Sequence, residues 1–500
     1  MAASRAALLL AAAAAPAAPF ANPFCATVTA FNGAVRALEL ALECAPGAGA
    51  IASIDFASYG TPDLSAGCGA FRAAPACDAA GFRARVEAAC LNTTLCIVAA
   101  RTADGDPCAG VAKTIAVAAT CSGAPGGRQV ALQPSCAMAY GAPPCPLPAA
   151  PWARTWALNR STICQPGNTA GFLDAAAAAR FGLVSLDWSI ASGVWRPGGA
   201  AGTPCAATTG AAALVEQCRR IKAVDPSTKC FAYRNAELAL EWLEPQRAAM
   251  LDPAKRDFFL LNQPGNPMNA TPGTPYNELA GGAAAGCRQY FWNYSNPAAA
   301  AYALAASELG PLGAGSPFVD GTYLDDTQAL PQEHAAAPAA MGLSPAQLLA
   351  AQNASWRWTD AAIGALAARG KFIWQGFDGA RQGDPDSVAP GPTRATCAAW
   401  MAEACAPAWQ AVPMTVQTDG SNTTLAAFLI ARGPVAYIGW GWGIPPPGPL
   451  PPWEPLWDLD VGEPLGLCEE RAAGVFSRAW SKGAASIDCN AFTATLDFHF

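Results

Sequence analysis

Phe318-Val319-Asp320-Gly321-Thr322-Tyr323-Leu324-Asp325-Asp326-Thr327 reads as a short β-strand, aliphatic and aromatic in its body, that stops on two adjacent carboxylates. The surrounding chain alternates strand and helix. In an α/β barrel the C-terminal strand ends floor the active site, so an acid placed there reads as catalytic. Strand side chains alternate, so Asp325 and Asp326 are expected on opposite sides, with one of them facing a substrate. Taken alone, the pair reads instead as a loop capping the next helix, and the neighbouring segments must decide.

Working outward, strand candidates occupy Thr155–Ser161, Leu183–Trp188, Lys229–Asn235, Phe258–Asn262, Phe318–Asp325, Lys371–Phe377, Pro413–Thr418 and Val435–Gly441. Helical stretches at Ala211–Val224, Pro297–Leu309, Pro345–Ala368 and Thr423–Ala431 separate several of them. Cys287–Asn296 competes for the fourth strand. This pattern predicts a (β/α)8 TIM-type barrel over 152–445, followed by a tail over 446–500 that packs on it. The strand ends carry Asn159-Arg160, Asp187-Trp188, Arg234-Asn235, Trp292-Asn293, Asp325-Asp326, Gln375 with Asp378, Gln417 with Asp419, and Trp440 with Trp442. Helix capping favours Ser, Asp or Asn and does not account for Trp, Arg and Gln. Indole rings beside carboxylates suit a polyhydroxylated ring, whose C–H face stacks while its hydroxyls bond to acids.

Composition narrows the chemistry. Charged residues make up 13% of the 500 positions, against ~25% in an ordinary soluble domain, so each strand-end acid carries more information. The net charge of −7, with no basic tract, argues against a nucleic-acid partner. Residues 1–21, with Arg5 before the apolar run Ala6–Ala15, read as a secretory signal peptide too short to span a membrane. No later stretch is long and apolar enough to span. Sequons at Asn92, Asn159, Asn269, Asn293, Asn353 and Asn422 fit passage through the secretory route, with glycosylation there. Nineteen cysteines in such a chain imply disulfides with one thiol left over. The two histidines, His334 and His499, supply neither a Ser-His-Asp set nor a histidine-rich metal site, and no cofactor is expected.

Cys25 to Cys121 is dense in cysteine, with strand-like Ile51–Phe56 and Ile115–Ala119 and helix-like Ala80–Ala89. Ala57-Ser58-Tyr59-Gly60, Gly105-Asp106-Pro107-Cys108-Ala109-Gly110, Lys113 and the spacing of the last six cysteines resemble the SUEL-type galactose/rhamnose-binding lectin domain. The resemblance covers Val28–Ser122. It implies disulfides Cys44–Cys121, Cys77–Cys108 and Cys90–Cys96, with Cys68 joined to Cys25, and a sugar site using Tyr59, Asp106 and Lys113. The Gly-Asp-Pro-Cys loop serves equally well as a turn with a disulfide. The family's usual Cys-Glu-Gly start is replaced here by Phe31-Asn32-Gly33. A Gly/Pro/Ala-rich linker over 123–151, with Cys136 and Cys145, joins this module (25–122) to the barrel.

Asp320–Asp326 resembles the Asp-Gly-x-aromatic-Leu-Asp strand of several glycoside-hydrolase-type barrels, and Gly462–Glu470 with Gly474–Asp488 resembles the tail of secreted glycoside hydrolases. That resemblance implies a terminal hairpin, turning at Lys482-Gly483, with Cys468 paired to Cys489. The expected activity is glycoside hydrolysis by paired carboxylates, Asp187 and Asp325, with Asp326 and Asp378 as substitutes. Trp188, Arg234, Asn235, Gln375, Trp440 and Glu463 are expected to bind substrate. The alternatives are a non-catalytic lectin with a degenerate barrel, or a lyase or transferase using the same acids.

Overall fold

The computed structural model describes residues 20–29, 39–99, 107–108, 113–130, 155–195, 209–278, 287–327, 336–375, 392–405, 414–440 and 450–498. The expected signal peptide, Asp106, Asp378, Cys136, Cys145 and both histidines lie outside them.

The N-terminal region contains β1 (Phe24–Thr29), β2 (Glu39–Cys44), β3 (Ile51–Gly60), β4 (Leu95–Ala99), β5 (Thr114–Cys121) and β6 (Gly127–Val130). They form two antiparallel three-stranded sheets, ordered β1-β5-β3 and β4-β2-β6. Leu40, Leu42, Ile54, Tyr59, Phe82, Ile115 and Val117 belong to a core of their own, closed by the helix Phe82–Cys90. That core is small, and four disulfides staple it: Cys25–Cys68, Cys44–Cys121, Cys77–Cys108 and Cys90–Cys96. Gly127–Val130, expected as linker, instead pairs with β2 and completes its sheet.

From residue 155 the chain builds a parallel sheet. Its strands are β7 (Thr162–Cys164), β8 (Leu183–Leu186), β9 (Lys229–Asn235), β12 (Gly321–Asp325), β13 (Phe372–Gln375), β14 (Met414–Gln417) and β15 (Ala436–Trp440). Between β9 and β12, the short strands β10 (Leu238–Leu240) and β11 (Gln289–Phe291) form an antiparallel ribbon. The parallel order is β13-β12-β9-β8-β7-β15-β14. The last strand therefore pairs with the first, as in a ring, and among the described residues the ring is open between β13 and β14. β8 and most of β9 are buried throughout, the pattern of strands covered on both faces. On the outer face, Leu214, Cys218 and Ile221 of the helix Gly210–Val224 point inward at helical spacing, and Cys218 is bonded to Cys230 of β9.

Two strand expectations are corrected. Thr155–Ser161 is not extended: Leu158–Arg160 is a 3-10 turn, and the carbonyls of Thr155 and Trp156 accept from the buried Arg432 guanidinium at 3.0 and 3.3 Å. Phe258–Asn262 lies outside the parallel sheet. Asp252 caps a 3-10 turn over Pro253–Phe258, and Leu260 N–H donates to the Phe291 carbonyl, which adds the segment to the β10–β11 ribbon. β12 then pairs directly with β9. Gly321 permits the close fit, because a Cβ there would lie 2.2 Å from the Phe372 carbonyl and 2.8 Å from the Phe231 ring.

The C-terminal tail is a four-stranded antiparallel sheet rather than a hairpin: β16 (Glu469–Ala472), β17 (Val475–Trp480), β18 (Gly483–Asp488) and β19 (Thr493–Phe498). It packs on the helix Asn422–Ala431, whose residues from Thr424 to Ala431 are all buried. A helix apolar all round needs cover on every side, and the tail supplies one of them. The expected Cys468–Cys489 bond is replaced by Cys405–Cys468 and Cys397–Cys489. Both cysteines reach out to the helix Cys397–Ala404 and the residue after it, so the tail is tied covalently to the region of the parallel sheet. Arg478 adds hydrogen bonds to the carbonyls of Gly466, Ile430 and Arg432.

Candidate functional site

The register fixes which side chains share the inner face. Tyr233 pairs with Tyr323 and Phe231 with Gly321, while Ser185 pairs with Phe231. Partners in a parallel pair face the same side, so Ser185, Tyr233, Asn235, Tyr323 and Asp325 share it. Asp187, one residue beyond β8 and two beyond Ser185, follows them. Cys230, bonded to the covering helix, marks the opposite face.

Asp325 ends β12 between two phenols. The Tyr233 hydroxyl donates to its Oδ2 at 2.8 Å and the Tyr323 hydroxyl to its Oδ1 at 3.4 Å. Burial pushes the Tyr233 hydroxyl well up, and the Asp325 and Asp326 charges push it further, so it stays a donor. Asp326 does not turn away as strand alternation predicts. Its φ of 50° is left-handed, the alternation stops there, and the Asn235 amide donates to its Oδ2. Both carboxylates thus join one cluster. Asn235 Oδ1 also accepts from Glu237 N–H at 2.9 Å and Leu238 N–H at 2.6 Å, which folds the chain at once into β10.

Asp187 sits in a different environment on the same face. It is 6% exposed, Oδ1 accepts from Ser189 N–H at 2.8 Å, and Oδ2 has no hydrogen-bond partner among the described residues. Burial pushes its carboxyl up to about 6, against the pull of the Ser189 and Trp188 hydrogen bonds. The ring of the next residue, Trp188, lies 5.3 Å from that of Trp242. The sheet therefore presents one carboxyl kept dry and another held by hydroxyl donors.

Arg234, Trp440 and Glu463 do not join this cluster. Arg234 points to the outer face, where its guanidinium donates to the carbonyls of Ser307, Tyr233 and Leu312; the expected role on substrate is corrected to a strut. Gln375 ends β13, its backbone level with Leu324 of β12. Trp440 ends β15 with its Nε1 donating to the Pro452 carbonyl at 3.2 Å. Glu463 is exposed on the tail, its backbone N–H and carbonyl bonded to Ser481 at the β17–β18 turn. Trp292 lines a small cavity with Glu237, Phe291 and Tyr294 beside the ribbon. In the N-terminal region, Tyr59 and Lys113 are both 0% exposed, so neither offers its side chain at the surface.

Tyr233 and Tyr323 were not singled out from sequence. The signal was available: each stands two residues before a polar strand end, on the same face.

Residues 42–121 match the D-galactoside/L-rhamnose binding SUEL lectin domain, so the N-terminal region contains a lectin domain of that family. "Beta-galactosidase 6" of Oryza sativa subsp. japonica is 40% identical over 84 residues, which are 17% of this chain and 9% of that protein. The chain thus corresponds to a small part of that relative, in the lectin region. Among solved structures, the ligand-free cyclic alpha-maltosyl-(1-->6)-maltose hydrolase of Arthrobacter globiformis aligns over 67% of this chain and 92% of its own, at 12% identity and TM-score 0.33. The GH36 alpha-galactosidase of Geobacillus stearothermophilus aligns over 66% and 43%, at 10% identity and TM-score 0.31. Likenesses this low leave the site to be argued from its own geometry. The seven disulfides among the described residues are compatible with an extracellular or secretory location. No helix among them is long and apolar enough to cross a membrane.

Proposed function

We propose that the chain is a secreted glycoside hydrolase, with its lectin module at 25–122 holding it on galactose- or rhamnose-containing glycans. The observation that carries this reading is the pair of acids on one face of one sheet in opposed surroundings, Asp187 dry and Asp325 between phenols. Two carboxyl groups on one face, one buried away from water and the other held by hydroxyl donors, is the arrangement needed for an acid and a base or nucleophile. Asp187, which burial lets keep its proton to about pH 6, would donate it to the leaving-group oxygen. Asp325, oriented by Tyr233 and Tyr323, would act on the anomeric carbon directly or through water. Asp326 and Asn235 would hold hydroxyls beside it, and Trp188 would exclude water from the acid.

The cyclic strand order supports a (β/α)8-type scaffold over 152–445, with seven parallel strands among the described residues and the β10–β11 ribbon outside their sheet. The linker would keep the lectin close enough to raise the local substrate concentration. The test is hydrolysis of a panel of aryl glycosides and of algal and plant polysaccharides by wild type and Asp325→Asn. A loss of about a thousandfold is expected on whichever substrate is cleaved. Equal rates would remove Asp325 from the mechanism.

A further inference from the structure

We propose that Gln165 and Ser185 are positioning residues that form, with Asp187, a polar floor holding one ring hydroxyl of the sugar whose bond is cleaved. The proposal rests on the hydrolase reading and adds two side chains that no strand-end pattern marks. Ile163 of β7 pairs with Leu183 of β8, so Gln165, two residues on, comes level with Ser185 on the inner face, one layer beneath Asp187. Ser185 is 1% exposed. Its hydroxyl, both amide atoms of Gln165 and Asp187 Oδ2 are buried without a hydrogen-bond partner among the described residues.

Buried orphans of this kind cost about 1–3 kcal/mol each. Several on adjoining strands are hard to explain as packing, because Val or Leu would fill the same places with no polar atom to satisfy. They fall together at the mouth of the sheet, beside the dry acid. Gly167 lets the backbone pack directly against the acid, since a Cβ there would lie 2.9 Å from Asp187 Oδ1 and 2.5 Å from Ser189 Oγ. An amide that donates and accepts, a hydroxyl that does both and a protonated carboxyl match the donor–acceptor pattern of a polyol. A hydroxyl bound there would bring the adjoining glycosidic oxygen toward Asp187.

The test compares Gln165→Leu and Ser185→Ala with wild type. Removing an orphan relieves its cost, so the melting temperature should hold or rise, while kcat/KM on the cleaved glycoside falls tenfold or more, mainly through KM. A fall in melting temperature would mean that the polar atoms are bonded within the protein, and unchanged kcat/KM would mean that they do not touch substrate; either overturns the proposal. Calorimetric titration with galactose, rhamnose and glucose separates this idea from the hydrolase reading. Wild type binding one equivalent more than Gln165→Leu supports the floor even if no glycoside is cleaved. Equal stoichiometry overturns it.

Discussion

The lectin region and the parallel sheet solve the same problem by different means. The lectin region has a small core and holds it with covalent bonds, four disulfides among its described residues. The parallel sheet has a large core and holds it mainly by burying both faces, with Cys218–Cys230 pinning a helix to β9. Their candidate residues differ in the same way. Tyr59 and Lys113 are buried in the lectin region, whereas Asp325 and Asp326 stand half-buried where the sheet opens. A stapled core can keep its shape with little packing, and a packed core can leave acids at its rim because stability comes from elsewhere.

That contrast breaks first at the disulfides. Cys44–Cys121 closes a separation of 77 residues and Cys218–Cys230 one of 12. Loop-closure entropy alone puts their contributions at about 4.5 and about 3 kcal/mol. Replacing both cysteines of the first pair with Ala should unfold the lectin region in an early calorimetric transition and leave the later one in place. The second pair replaced in the same way should lower only the later transition. A single shared transition in both variants would mean that the two regions do not unfold separately.

A smaller effect sharpens the rim side of the contrast. The folded chain holds the Asp187 proton to about pH 6, while the unfolded chain releases it near 3.8. Stability should therefore be greatest below that lower value and fall by about 3 kcal/mol as pH rises through about 6. Glu308, buried and pushed up to about 7, adds a loss of the same sign, so the informative quantity is the difference between variants. Asp187→Asn should flatten the urea-midpoint profile between pH 4 and pH 6 and be the more stable protein at pH 7, while losing hydrolysis. An unchanged slope would mean that Asp187 is solvated. Smallest is Tyr233→Phe, which removes the 2.8 Å donor from Asp325. About a tenfold fall in kcat/KM is expected, with the acid limb of the pH–rate profile moving toward neutrality and retention on galactose-agarose unchanged.

Much of the scaffold was legible. β9 begins and ends where its apolar run does, and the helices Gly210–Val224 and Pro345–Ala367 lie within a residue of their periodic patterns. The failures have local causes. At Phe258–Asn262 an apolar run looks like any strand, yet the Asn235 cap and the Gly321 contact had already closed the sheet without it. Arg234 and Asn235 are adjacent in sequence, and only one of them can face the site.

The sequence by itself determined the lectin domain, through cysteine spacing, and the alternation of strand and helix that follows, because both are set by residues close along the chain. Tertiary structure alone decided that Asp187, Tyr233, Asp325 and Asp326 share one face, and that Cys468 bonds to Cys405. Those outcomes depend on the register between strands and on one left-handed residue at 326. Register is fixed by the summed packing of distant segments, to which no short stretch holds the key.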